Sequence, residues 1–240
     1  MKKIIILLTF ISFGYQINAQ TVYYRSVGGT IFSEEKVKEQ QQEFYEKFVE
    51  RNKDVVVEID VKDTEIKKDS IIHDFGFHID LNGRTRVKTK LQLLKGSQIP
   101  EAILTALDGS QISISDLNGK PTLLNFWFTK CKPCIDEMPE LNKLKKEYGD
   151  RINFVAITFE TKEKVEKFLQ KHDFDFVQVV DAQTYLDVLE IKDYPKNVLL
   201  NKNGTLRYVK GGIPYIQDEK GEMKMGEATE LENKLETLLK

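Results

Sequence analysis

The sequence predicts an α/β fold in which a mixed sheet is covered by helices on both faces, preceded by a small α+β region. Three observations carry this expectation. Residues 122–128 form a nearly continuous apolar run, the pattern of a strand buried on both faces. From residue 99 onward, apolar runs of strand length alternate with stretches of helical period. Near the end, Asn203-Gly204 lies between two such runs and signals a hairpin.

The 240 residues suffice for one or two domains. A formal net charge of −2 gives no electrostatic case for nucleic acid or an anionic membrane, so neither is an expected partner. Residues 1–19 read as a secretory signal: Lys2-Lys3 is basic, residues 4–13 are apolar, and Ile17-Asn18-Ala19 suits a cleavage site. That apolar run is too short for a comfortable membrane span, although an uncleaved anchor is the alternative. No cysteine follows the cleavage site to take a lipid. The expected location is periplasmic or secreted, where cysteines meet an oxidising environment.

Residues 20–95 form the α+β region. Ser33 is an N-cap candidate, and Val37, Phe44, Tyr45, Phe48 and Val49 follow on one helical face. Residues 55–61 read as a strand; residues 71–81 and 84–93 read as two more, joined at Asn82-Gly83. His73 and His78 are expected to be ordinary structural or surface residues, and no function is assigned to this region. Lys95-Gly96-Ser97 is the expected junction to a second domain over residues 96–240. That domain opens with residues 99–107, turns at Asp108-Gly109 and returns through Ile112 and Ile114. Beyond the apolar run, residues 152–159 read as a strand and 161–171 as a helix with Val165, Phe168 and Leu169 inward. Residues 176–180 are a further strand, 183–189 a short helix, 197–200 and 205–209 the hairpin, and 227–240 an amphipathic helix.

Cys131 and Cys134 are the only cysteines. Spaced C-x-x-C, they suit either a redox pair at a helix start or half of a zinc site. Zinc wants four ligands, and His73, His78 and His172 are scattered, so no metal is expected. A purely structural bridge over so small a loop would restrict the unfolded chain little. The redox reading is the stronger one. Ile135, Met138, Leu141 and Leu144 recur every three residues after Pro133, a proline suited to a first helical turn. Cys131 therefore sits at a helix N-terminus, where unpaired N–H groups, the dipole and the flanking Lys130 and Lys132 favour a thiolate. Cys134, one turn in, should be more buried. These positions make Cys131 the nucleophile, accessible to other proteins, and Cys134 the resolving thiol. Glu137 lies one further turn along the same side, where burial would raise its pKa and fit it to accept the Cys134 proton.

Residues 127–134, continued by Glu137-Met138-Pro139, resemble the active-site segment of the thioredoxin superfamily, and most closely its TlpA/ResA-like periplasmic thiol–disulfide oxidoreductases. The likeness spans residues 96–240 and takes in Leu107-Asp108-Gly109 and the segment 115–120. It implies a thioredoxin-like three-layer α/β/α fold, a dithiol enzyme without a cofactor, and disulfide-bearing exported proteins, such as apocytochrome c, as substrates. A membrane electron donor would reset the pair. It further implies a cis-proline at Pro195, with Tyr194 offering backbone hydrogen bonds to a bound partner, and a helix-kinking role for Pro139. Trp127 and Lys130 are expected to contact partners; Lys130 stands where many relatives carry tryptophan, and Asn125 where thioredoxin has a buried aspartate. Rival readings are a dithiol oxidase, a peroxiredoxin-like peroxidase, for which Thr129 lies two rather than three residues before the cysteine, and a non-catalytic binding module.

Overall fold

Polar–apolar alternation and helix caps decide the elements. The computed structural model describes residues 20–26, 29–84, 88–217 and 221–240, so the expected signal at 1–19 lies outside the described residues. The chain divides into two compact units that part between residues 87 and 88.

In the first unit, β1 (Thr21–Arg25), β2 (Ile31–Ser33), α1 (Glu34–Val49), β3 (Val56–Ile66) and β4 (Ser70–Asp80) follow in order. The sheet runs β2-β1-β4-β3. Ser33 caps α1 as expected, its hydroxyl accepting the Lys36 N–H at 3.3 Å. The helix buries Val37 completely and sets Phe44 against Phe77 at 5.0 Å. Tyr45, expected on that face, is 38 % exposed.

Two expectations fail here. The strands expected to meet at Asn82-Gly83 instead include a hairpin between β3 and β4, closed where Lys67 N–H donates to Ser70 O at 2.7 Å. Asn82-Gly83 is a turn after β4: Gly83 has φ +74°, and the Asp80 carboxylate accepts the Asn82 N–H at 2.7 Å. The strand expected over 84–93 is not formed at its far end, where Lys90–Leu93 is a short helix, α2; residues 85–87 lie outside the described residues. Thr89 and Gln92 close a reciprocal capping box there, which outweighs the strand-like pattern.

The second unit takes in residues 88–95 as well, because Leu91 packs among Ile99, Leu104 and Leu206. It continues through β5 (Ile103–Ala106), β6 (Gln111–Ser113), β7 (Thr122–Phe126), α3 (Lys132–Tyr148), β8 (Asn153–Ile157) and α4 (Lys162–Leu169). After these come β9 (Val177–Val180), α5 (Gln183–Val188), β10 (Lys196–Leu200), β11 (Leu206–Lys210), β12 (Tyr215–Gln217), β13 (Met223–Met225) and α6 (Thr229–Leu239). The large sheet runs β11-β10-β7-β8-β9-β5-β6. Its centre, β7-β8-β9, is parallel, and the flanking pairs are antiparallel.

Successive strand residues point to opposite faces. Leu123, Phe154 and Leu199 pack with Met138, Val165 and Leu235, from α3, α4 and α6. Leu124, Val155 and Val198 pack with Tyr185 and Leu186 of α5. The result is the three-layer α/β/α arrangement. Tyr215–Gln217 and Met223–Met225, for which the sequence pattern yields no element, pair antiparallel as β12 and β13. No helix among the described residues is long and apolar enough to cross a membrane.

Leu124 is wholly buried in the central strand. Leu124→Ala is therefore expected to cost about 2–5 kcal/mol, read from the denaturant midpoint of the oxidised protein. A loss below about 1 kcal/mol would show that this strand is not the centre of the core.

Candidate active site

Between the end of β7 at Phe126 and the start of α3, the chain makes a short loop that ends at Cys131. Cys131 is the N-cap of α3; its N–H donates to Phe128 O at 3.1 Å, and its Sγ accepts the Cys134 N–H at 3.3 Å. A side-chain acceptor at this position satisfies a helix N–H that would otherwise lack a partner. In the structure Cys131 and Cys134 are joined as a disulfide, with Cα atoms 5.3 Å apart. Cys134 is 1 % exposed and Cys131 4 %, the expected order, but Cys131 is more covered than an open nucleophile. The bridge ties it to a sulfur one turn inside the helix, in the apolar cluster that holds Trp127 and Met138.

Glu137 is fully buried in this apolar surround. Its Oε1 accepts from Asn125 Nδ2 at 2.9 Å, and its Oε2 accepts the backbone N–H of Ile213 at 2.9 Å. Asn197 Nδ2 reaches both oxygens at 3.4 Å and donates to Gly211 O, while its Oδ1 accepts from Asn125. Burial pushes the Glu137 pKa up from the ordinary carboxylate value to about 7, and the donated hydrogen bonds hold it from going higher.

The Tyr194–Pro195 peptide is cis. Pro195 is buried, and a Cβ on Gly212 would lie 2.6 Å from its Cγ and 3.2 Å from Glu137 Oε2. Glycine at 212 therefore lets the segment after β11 close over both the proline and the carboxyl. Tyr194 is half-buried, its ring edge-on to Phe128 at 5.2 Å and inclined to Phe159 at 6.1 Å.

The structure places the other expected contact residues differently from one another. Lys130 is exposed at the loop tip, free to meet a partner. Trp127 is wholly buried between Phe168 and Phe174, at ring distances of 5.1 and 5.7 Å, and so does not form part of a contact surface. Its β-strand-like position turns the ring into the core rather than out. Lys132, expected to favour the thiolate, is paired with Asp136 at 2.6 Å, and Asp136 also accepts the Tyr215 hydroxyl. That pairing spends part of the lysine's field on Asp136, and both partners hold the Asp136 pKa below its ordinary value.

Asn197 is a site residue that the strand pattern alone passed over. A polar side chain inside a doubly covered strand needs a buried partner, and that signal was present. Gly212 and the Ile213 N–H come from an irregular segment with no such signal.

Two outcomes follow. Gly212→Ala forces Pro195 or Glu137 aside, so turnover with a disulfide substrate is expected to fall by about tenfold or more while the fold is kept; unchanged turnover would mean that this close approach has no role. The second concerns pH. The folded state keeps a proton on Glu137 between the ordinary value of 4.5 and about 7, a range in which the unfolded chain has lost it. Its stabilising contribution is full below pH 4.5 and is lost as pH rises through about 7. Denaturant midpoints of the oxidised protein across this range are expected to fall more steeply for the native chain than for Glu137→Gln; parallel curves would contradict it.

Comparison with known proteins identifies the family. Residues 95–209 match the family model described as the AhpC/TSA family. The chain is 35 % identical over 133 residues to the thioredoxin-like protein YneN of Bacillus subtilis, a match covering 54 % of this chain and 78 % of that protein. It is 36 % identical over 132 residues to the thiol-disulfide oxidoreductase ResA of Geobacillus kaustophilus, covering 54 % and 76 %. A crystal structure assigned as the thiol:disulfide interchange protein DsbE of Chlorobium tepidum superposes with a TM-score of 0.51 at 22 % identity, over 61 % of this chain and 98 % of that one, a likeness of fold. The chain belongs to the thioredoxin-like branch of the AhpC/TSA family that contains ResA, and it is a thiol–disulfide oxidoreductase.

Proposed function

We propose that this chain is an exported dithiol reductase that opens disulfides in other exported proteins, with residues 1–19 as its export signal and 96–240 as its catalytic part. In the reduced enzyme the Cys131 thiolate attacks one sulfur of the client disulfide. The client's other sulfur leaves as a thiolate, and a mixed disulfide joins the client to Cys131. Glu137 then takes the Cys134 proton, and the Cys134 thiolate attacks Cys131 Sγ. The client departs with both sulfurs reduced, and the enzyme is left with the Cys131–Cys134 bridge. A membrane electron donor returns two electrons, Glu137 gives its proton back to Cys134, and Cys131 is left as the thiolate.

The observation that carries this reading is the Glu137 carboxyl, one turn beyond Cys134 and with a pKa of about 7. A group poised near the working pH can accept a thiol proton in one half-cycle and return it in the other. Support for Cys131 as the attacking sulfur comes from its place at the helix start, where the Cys134 N–H already points at Sγ. Lys130 and the backbone at Tyr194, beside the cis-proline, are assigned to partner contact.

Cys134→Ser is expected to trap client proteins on Cys131 as mixed disulfides, visible as reductant-sensitive adducts, whereas Cys131→Ser traps none. Adducts forming equally on either single-cysteine variant would remove the assignment of roles. A reduction potential well above about −180 mV would favour an oxidase over a reductase.

A further inference from the structure

Glu160 is a buried carboxylate at the end of the segment that follows β8, and the steps just described make no use of it. It faces the loop that leads into the dithiol. Its Oε2 accepts the Thr129 N–H at 2.6 Å, and its Oε1 accepts the Thr129 hydroxyl at 3.1 Å. Lys164, in the first turn of α4, pairs with the same Oε1. The backbone of Glu160 is itself fixed: its N–H donates to Thr158 Oγ at 3.2 Å, and its carbonyl accepts the Asp181 N–H at 3.0 Å. Asp181 adopts φ +52°, a left-handed conformation that a non-glycine residue holds only where its surroundings insist on it.

A carboxylate this buried is costly to hold unless its oxygens are hydrogen-bonded, and here the Thr129 hydrogen bonds and the Lys164 pair meet that need. The two Thr129 bonds form a clamp on a loop that otherwise has few fixed points. Thr129 lies two residues before Cys131, and the Cys131 N–H to Phe128 O bond sets the turn. Phe128, on the other side of Thr129, belongs to the aromatic group with Phe159 and Tyr194.

We propose that Glu160 is a positioning residue for the dithiol: by holding Thr129 at two points it keeps Cys131 at the N-cap of α3, where helix N–H groups stabilise its thiolate. The inference rests on Cys131 being the attacking sulfur. Position and charge act in opposite directions here. As a nearby negative charge, Glu160 would raise the Cys131 pKa; as a clamp, it lowers it by keeping the sulfur against its donors. The remaining charges near the loop and helix start are Lys130 and Lys132 beside Cys131, Lys164 on Glu160, Asp136 on Lys132, and Glu137 one turn beyond Cys134.

The test is pH-dependent alkylation of Cys131 in the reduced full-length protein, followed peptide by peptide, with thermal unfolding measured alongside. Thr129→Val, which removes one clamp bond without altering charge, and Glu160→Gln are both expected to raise the Cys131 pKa and to slow its alkylation at pH 7 by about tenfold. Thr129→Ser, which keeps the hydroxyl, is expected to restore the native profile. A lowered Cys131 pKa in Glu160→Gln, with no change in Thr129→Val, would show that charge rather than position governs the site and would overturn the inference. Lower unfolding temperatures with an unmoved alkylation profile would overturn it as well, leaving Glu160 a purely structural residue. If the native protein itself showed no thiol ionising below the ordinary cysteine value of about 8.5, the dithiol reading would fall and this inference with it.

Discussion

A buried carboxyl with no ion-pair partner among the described residues is the constraint on which the rest of the catalytic unit depends. Glu137 sits at zero exposure on α3, and its oxygens are met by Asn125 from β7, Asn197 from β10 and the Ile213 N–H from beyond β11. Left without those donors, such a group would cost several kcal/mol to bury. With them, it joins the helix that carries the sulfurs to three other parts of the chain. The donors stabilise the carboxylate and burial disfavours it, and the balance leaves the group near neutrality. Structure and chemistry are the same fact at this position.

The dithiol is built by the same economy. A strand buried on both faces has to end before the chain can reach solvent, and the loop after β7 turns into a helix whose Cys134 N–H meets Cys131 Sγ. Pro133 in the first turn gives up no hydrogen bond. The cis peptide before Pro195 and the bare Cα of Gly212 let backbone approach Glu137 from the opposite side. Glu160 holds the near end of the loop through Thr129. In this oxidised form Cys131 is 4 % exposed and Cys134 1 %, so the bridge is nearly covered.

Much of this was legible in the residues themselves. The apolar run of β7, the stripe of Met138, Leu141 and Leu144, the turn at Asn203-Gly204 and the cap at Ser33 each report a local physical requirement, and each forms as read. The failures are equally physical. Asn82-Gly83 is a turn, as its composition demands, but a turn residue cannot say which strands it joins; β3 and β4 are joined earlier, where Lys67 N–H donates to Ser70 O. Thr89 and Gln92 made a helix of a stretch whose apolar content suggested a strand. Trp127 is expected to contact partners as part of the segment that resembles the family's active site, whereas ring packing with Phe168 and Phe174 draws it inward. Contacts between residues distant in sequence, such as Glu137 with Ile213 or Glu160 with Thr129, leave no periodic trace and emerge only from the folded chain.

The central claim, that α3 carries a carboxyl held near neutrality one turn from Cys134, is tested most directly by its own titration. Carbon-13 NMR of the Glu137 side-chain carboxyl in the oxidised protein, assigned by comparison with Glu137→Gln, should show a midpoint near 7 rather than at the ordinary 4.5. A midpoint at 4.5 would mean a carboxylate too weakly basic to hold a thiol proton near pH 7, and would contradict the proton transfer assigned to it.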